Sequence, residues 1–267
     1  MSVARGSVGR VLRSLFDVVF PLRCAGCGAG PWPFCSACRV ELAVAAPPMC
    51  ERCGRPFPEA VPTCRDCPPP SIATARAPFL FRGPVRSALY RLKFSGWRAV
   101  AEALGAAMAE VNEFPAAAVT WVPLAGRRRA VRGYDQARAL AVVVARRLGT
   151  PAIPMLARTR ETGPQARRGG AERRTALRGA FVPVGRGRSP PRDVLLVDDV
   201  LTTGATAAEC ADVLRRAGAA RVGLLTAARS VSGPVPAHCY AAEARPARAG
   251  RVVESRPSLW LPGDPPR

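Results

Sequence analysis

The 267-residue chain contains one lysine, Lys93, and one histidine, His238. Its 40 basic side chains are therefore almost all arginines, set against 19 acids for a formal net charge of +21. Guanidinium is a planar fork that matches phosphate better than an ammonium point charge does. His238 stands beside Cys239 in a Pro/Arg-rich stretch, and this isolated pair reads as neither metal ligand nor nucleophile. Long apolar runs are also missing. The longest, Ala139 to Ala145, falls far short of the roughly 20 residues that cross a bilayer, which excludes a predicted span. No secretory signal is expected either: Arg13 and Asp17 interrupt the apolar stretch near the start, and no small-residue cleavage site precedes Cys24. A cytoplasmic protein is expected. Leu12, Leu15, Phe16 and Val19 recur at helical spacing, predicting a short amphipathic lead-in helix within residues 1–22.

The positive charge is concentrated. Residues 127–192 hold 17 basic and 3 acidic side chains, so +14 of the +21 lies in a quarter of the chain. A polyanion or a phosphate-rich ligand is the expected partner. Aromatics in that segment are few, Tyr134 and Phe181, so base stacking there should be limited and sequence preference weak.

Eight of the ten cysteines form four Cys-x-x-Cys pairs: Cys24/Cys27, Cys35/Cys38, Cys50/Cys53 and Cys64/Cys67. Each pair can turn two thiolates toward one ion, and two pairs complete a closed tetrahedral site, so two structural Zn²⁺ ions are predicted. Sequential and cross-braced pairing both satisfy the spacing. Disulfides would need an oxidising compartment, and a redox pair would need one such motif at a strand–helix junction. Eight thiolates and two ions change the net charge by −8 and +4, leaving +17, so the basicity survives the metal. Gly26, Gly28 and Gly54 sit in or beside the knuckles, where a positive φ is expected. Cys210 reads as an ordinary buried thiol of a helix.

Val194 to Val197 is a short apolar run that predicts a buried central strand. Asp198, Asp199, Val200, Leu201, Thr202, Thr203, Gly204, Ala205 and Thr206 follow, and then a helical pattern through Ala208, Ala211, Val213 and Leu214. A strand that runs through a hydroxyl-rich loop into a helix is a phosphate cradle, because unpaired N–H groups and the helix dipole favour an anion there. Paired carboxylates at the strand end can accept hydrogen bonds from vicinal sugar hydroxyls. Together they predict a ribose 5-phosphate site. A second strand, Val119 to Pro123, leads to the arginine-rich loop of Arg127 and Arg128 and then to a helix through Ala137, Leu140, Val144 and Leu148. A third segment, Thr159 to Arg178, carries Arg167, Arg168, Arg173 and Arg174 among glycines and suits a loop closing over a ligand.

The run from Val194 to Thr206 resembles the motif by which type I phosphoribosyltransferases bind phosphoribosyl pyrophosphate (PRPP). Cysteine knuckles ahead of such a domain resemble the competence protein ComF family. The likeness covers roughly residues 12–229 and includes Leu89-Tyr90-Arg91-Leu92-Lys93-Phe94, Val122-Pro123-Leu124, Arg132-Gly133-Tyr134-Asp135-Gln136, Pro164-Gln165, Glu172-Arg173-Arg174 and Arg178-Gly179-Ala180-Phe181. The chain departs from the family pattern at Ala125, Asp135 and Ala176-Leu177. The resemblance implies single-stranded DNA handling during natural transformation alongside the ComFA helicase. It also implies, as alternatives, phosphoribosyl transfer from PRPP with Mg²⁺ to a nitrogen nucleophile, or PRPP sensing without turnover. Asp198 and Asp199 would then hold the ribose, Arg127 and Arg128 the pyrophosphate, and Arg167, Arg168, Arg173 and Arg174 the nucleic acid.

The expected architecture is α/β: a parallel sheet of type I phosphoribosyltransferase kind with flanking helices, behind a small double zinc-ribbon-like module. The expected boundaries are 1–22 for the lead-in helix, 23–70 for the zinc module, 71–229 for the phosphoribosyltransferase-like domain and 230–267 for an irregular Pro/Arg-rich tail.

Overall fold

The computed structural model describes residues 23–124, 126, 133–159, 179–185 and 189–240. The predicted lead-in helix and Arg127, Arg128, Arg167, Arg168, Arg173 and Arg174 lie outside these residues.

Among the described residues the elements run α1 (Ser36–Val40), β1 (Thr74–Arg76), β2 (Phe79–Leu80), α2 (Gly83–Phe94), α3 (Ala99–Glu110), β3 (Ala118–Trp121), α4 (Gln136–Leu148), β4 (Leu156–Arg158), β5 (Phe181–Pro183), β6 (Asp193–Leu201), α5 (Ala205–Arg216) and β7 (Arg221–Arg229). The main sheet has the order β1-β7-β6-β3, with β2 also on β7, and every pairing in it is parallel. Strands β4 and β5 form a separate antiparallel pair.

Strand β6 reads as a continuous apolar run because both of its faces are covered. Leu195 and Val197 pack into one layer with Leu104, Met108, Leu140 and Val144 of α3 and α4. Val194 and Leu196 face the opposite layer, with Cys210, Ala211 and Leu214 of α5. Helices α3 and α4 approach closely. A Cβ on Gly105 would lie 2.7 Å from the Val143 Cβ, so this crossing tolerates only glycine.

The strand is longer than the sequence pattern predicts. Hydrogen bonding to β7 continues past Val197, pairing Asp198 with Thr226, Val200 with Ala228 and Leu201 with Arg229. The paired acids therefore belong to the rigid sheet, and the loop proper begins at Thr202.

The cysteine module joins the same two layers. Cys24, Phe34, Cys38 and Leu42 share a core with α2, α3 and α4. Cys50 and Cys53 share one with α5. After β7 the chain turns back onto the module: Cys239 is buried with Ala43, Ala45 and Leu80, and the Val44 amide donates to the Cys239 carbonyl at 2.8 Å. No described helix is long and apolar enough to cross a membrane.

Candidate functional site

Gly204 caps α5 from the left-handed region, at φ 73°, which a side chain would strain. Thr202 and Thr203 are exposed, Thr206 is half-buried, and Gly204 and Ala205 are buried beneath them. The Thr203 hydroxyl accepts from the Ala205 amide at 3.4 Å. Ala208 is the first residue whose amide reaches back to Gly204 (2.8 Å), so the amides of Thr206 and Ala207 ahead of it can serve an anion, and that of Ala205 can do so on leaving the Thr203 hydroxyl.

Asp199 is buried and Asp198 partly so. The Asp199 amide donates to the Asp198 Oδ1 at 2.8 Å, and Lys93 Nζ forms an ion pair with the Asp199 Oδ2. Burial, with the neighbouring Asp199 charge second, pushes the Asp198 carboxyl up to about 8, while the Asp199 amide and Lys93 oppose the rise. Asp135 adds a third negative charge to that set. Its own carboxylate caps α4 by accepting from the Arg138 amide at 3.1 Å, and also accepts from the Leu124 amide at 3.2 Å. Asparagine could fill the same cap without the charge, so this departure from the family pattern acts on Asp198 electrostatically.

The sulfurs gather in sequence order: Cys24, Cys27, Cys35 and Cys38 in one group, Cys50, Cys53, Cys64 and Cys67 in the other. Observed sulfur–sulfur distances are 3.7 Å for Cys27–Cys35, 3.6 Å for Cys50–Cys67, 3.5 Å for Cys53–Cys64 and 3.8 Å for Cys64–Cys67. The edge of a tetrahedron with Zn–S bonds of about 2.3 Å is about 3.8 Å, whereas a disulfide requires about 2.0 Å. Both groups fit zinc, and all eight thiols are free. Amides of Ala29, Cys35 and Cys64 donate to the sulfurs of Cys27, Cys24 and Cys67, as they would to thiolates. The amides of Gly30 and Ala29 bring the Cys27 thiol down to about 6. Gly28 and Gly54 take the expected positive φ, at 82° and 67°. Gly26 does not; its Cβ would meet the Cys38 sulfur at 2.8 Å, so its requirement is space.

Several links join the second cysteine group to the sheet and to the loop and helix after β6. A Cβ on Gly204 would lie 2.9 Å from that of Pro68, the residue after Cys67. The Ser71 hydroxyl donates to the Ala208 carbonyl at 3.5 Å. Arg229, buried at the end of β7, donates to the carbonyls of Cys53 at 2.7 Å and Asp66 at 3.1 Å. Sequence reasoning missed the positions of Lys93 and Arg229. Lys93 lies 106 positions before Asp199, and Arg229 looks like one arginine among many.

The double zinc ribbon domain family matches residues 15–68. The DNA utilization protein YhgH of Escherichia coli O157:H7 is 32% identical over 211 residues, covering 72% of this chain and 88% of that protein. Competence protein F of Haemophilus influenzae is 29% identical over 209 residues, covering 73% and 90%. Among solved structures, the glutamine PRPP amidotransferase from B. subtilis is 26% identical with a TM-score of 0.35, over 48% of this chain and 26% of that longer one.

Proposed function

We propose, for a chain that belongs to the ComF family with competence protein F and the DNA utilization protein YhgH, that it binds PRPP or ribose 5-phosphate at residues 198–206 and handles single-stranded DNA. The observation that carries the ribose-phosphate reading is a carboxylate pair fixed in a rigid strand immediately before a hydroxyl-bearing, positive-φ loop. Asp198 and Asp199 accept from the ribose hydroxyls. Thr202, Thr203 and Thr206, with the backbone of Gly204 and Ala205, donate to the 5-phosphate. Arg127 and Arg128 hold pyrophosphate. Asp198 and Asp199 would be the carboxylates that hold Mg²⁺ arriving with PRPP, and the ion would supply charge stabilisation of the pyrophosphate.

In this reading residues 23–70 are a zinc-held module and residues 71–229 the ligand-binding domain. Arg167, Arg168, Arg173 and Arg174 track a nucleic-acid backbone, with a ComFA-type helicase as partner in the cytoplasm. The test is a salt titration on a fluorescent single-stranded oligonucleotide. The slope should be about 0.7 per neutralised phosphate, and replacing those four arginines with Gln should lower it. Equal slopes for the two proteins count against DNA handling.

One observation favours turnover as a second reading. Transfer of phosphoribose to a nitrogen nucleophile displaces pyrophosphate and releases the N–H proton, and the ionised form of a carboxyl raised to about 8 would accept that proton more readily than an ordinary carboxylate. Pyrophosphate release from PRPP in the presence of candidate bases separates transfer from PRPP sensing.

A further inference from the structure

Helix α2 carries an exposed row that neither the phosphate loop nor the cysteine groups use. Arg86, Tyr90 and Phe94 stand four residues apart, so they form one stripe about 12 Å long at about 1.5 Å per residue. Tyr90 is 47% exposed and Phe94 64% exposed, the most of any described large apolar residue. Their rings stack with centroids 5.7 Å apart and planes inclined by 27°. The Arg86 guanidinium lies 5.6 Å from the Tyr90 ring centroid. The helix is anchored by Val85, Ala88, Leu89 and Leu92, none of which has exposed surface.

The surroundings are cationic. Helix α2 contains no acidic residue. Arg91 is committed to the carbonyls of Ala25 and Gly26, and Lys93 to Asp199, which leaves Arg86 on the stripe itself. A pocket opens between the stripe and the body, lined by Phe81, Leu89, Tyr90, Lys93 and Phe94. Lys93 thus connects the aromatic stripe to the acid pair within one helical turn. Flat apolar rings flanked by guanidinium, on a helix with no acid of its own and with the nearby Asp199 paired to Lys93, are the chemistry that holds unpaired bases.

The geometry points to a base-stacking platform for single-stranded nucleic acid, in which Tyr90 and Phe94 hold bases and Arg86 meets the backbone. It rests on the DNA-handling reading and adds base contacts outside the arginine-rich segment. The stacking is indifferent to sequence, since every base has a π-face.

Fluorescence anisotropy of full-length protein with oligo(dT), oligo(U) and an abasic strand of equal length tests the platform. Tyr90→Ala/Phe94→Ala should bind oligo(dT) about 5- to 100-fold more weakly than wild type. Its salt slope should be unchanged, and both proteins should bind the abasic strand alike. Tyr90→Phe/Phe94→Tyr should behave as wild type, and Phe94→Gln alone should show part of the loss if the double variant folds poorly. Equal wild-type affinity for oligo(U) assigns the platform to single strands generally, and preference for oligo(dT) assigns it to DNA; either supports stacking. If wild type and the alanine variant bind oligo(dT) equally, with the same steep salt dependence, DNA handling stands and the platform is overturned. Should wild type bind no strand, both fail. A wild-type dimer that the alanine variant loses, at unchanged DNA affinity, assigns the stripe to self-association and overturns the platform.

Discussion

Lys93, the chain's only lysine, places its ammonium on Oδ2 of Asp199, the carboxylate expected to meet the ribose. One carboxylate of the acid pair is therefore already partnered, by a side chain from a helix 106 positions earlier in the sequence. A ligand must either displace Lys93 or recruit it toward its phosphates. The ion pair ties α2 to the centre of the sheet.

Replacing Lys93 with Met removes that partner and leaves Asp199 buried. The expected loss is about 1–2 kcal/mol, kept below the range for fully buried pairs because Lys93 is 23% exposed. That corresponds to a fall in melting temperature of about 2–8 °C. Adding Asp199→Asn should restore much of the loss, since the uncompensated charge is then gone. Thermal melts of the single and double variants check this, and additive losses would mean that the two residues are not coupled.

Asp198 predicts an unusual pH dependence. Its folded pKa is raised, to about 8, so between roughly pH 4 and pH 8 the folded protein holds a proton that the unfolded chain has released. The stability contribution of this group therefore declines as pH rises through that window, opposite in sign to a salt-bridged aspartate. Asp198→Asn should melt higher than wild type at pH 8.5, by about 2–4 °C per kcal/mol relieved, and nearly level with it at pH 4. Asp135→Asn should preserve the α4 cap and move the Asp198 titration down, which carboxyl NMR would follow.

The loop after β6 and the second cysteine group touch through Gly204 and Pro68. Gly204→Ala meets both the positive φ and the 2.9 Å contact, so a destabilisation of about 1–3 kcal/mol is expected together with loss of ribose 5-phosphate binding. Zinc content, measured by emission spectrometry, should stay at about two per chain. Cys53→Ser/Cys64→Ser should halve the zinc and weaken the same ligand, whereas Cys27→Ser/Cys35→Ser should halve the zinc with a smaller effect on it. Equal effects from the two cysteine pairs would sever the proposed link.

Much of this was legible in residue patterns because it is local. Four knuckles carry their own spacing, and the apolar run of β6, the paired acids and the glycine-containing loop are contiguous. Helices α4 and α5 appeared where the apolar periodicity placed them. The extent of β6 was underestimated because the charged side chains of Asp198 and Asp199 mask a backbone that continues to pair with β7. Contacts between distant segments left no signal: Lys93 to Asp199, Arg229 to Cys53, Gly204 to Pro68. The Tyr90–Phe94 stripe was hidden for a related reason. Helical spacing puts Leu89 and Leu92 inward as readily as it puts the aromatics outward, and only the packing of α2 distinguishes the two faces.

The most direct measurement is isothermal titration of the full-length protein with PRPP and Mg²⁺, for wild type and for Asp198→Asn/Asp199→Asn. The acid pair is part of a ribose-phosphate site in this account, so wild type should bind. The double variant, which keeps shape and removes charge, should bind at least about tenfold more weakly, a difference of about 1.4 kcal/mol, with its circular dichroism unchanged. A wild type that takes up neither PRPP nor ribose 5-phosphate, or a double variant that binds them equally well, would contradict it.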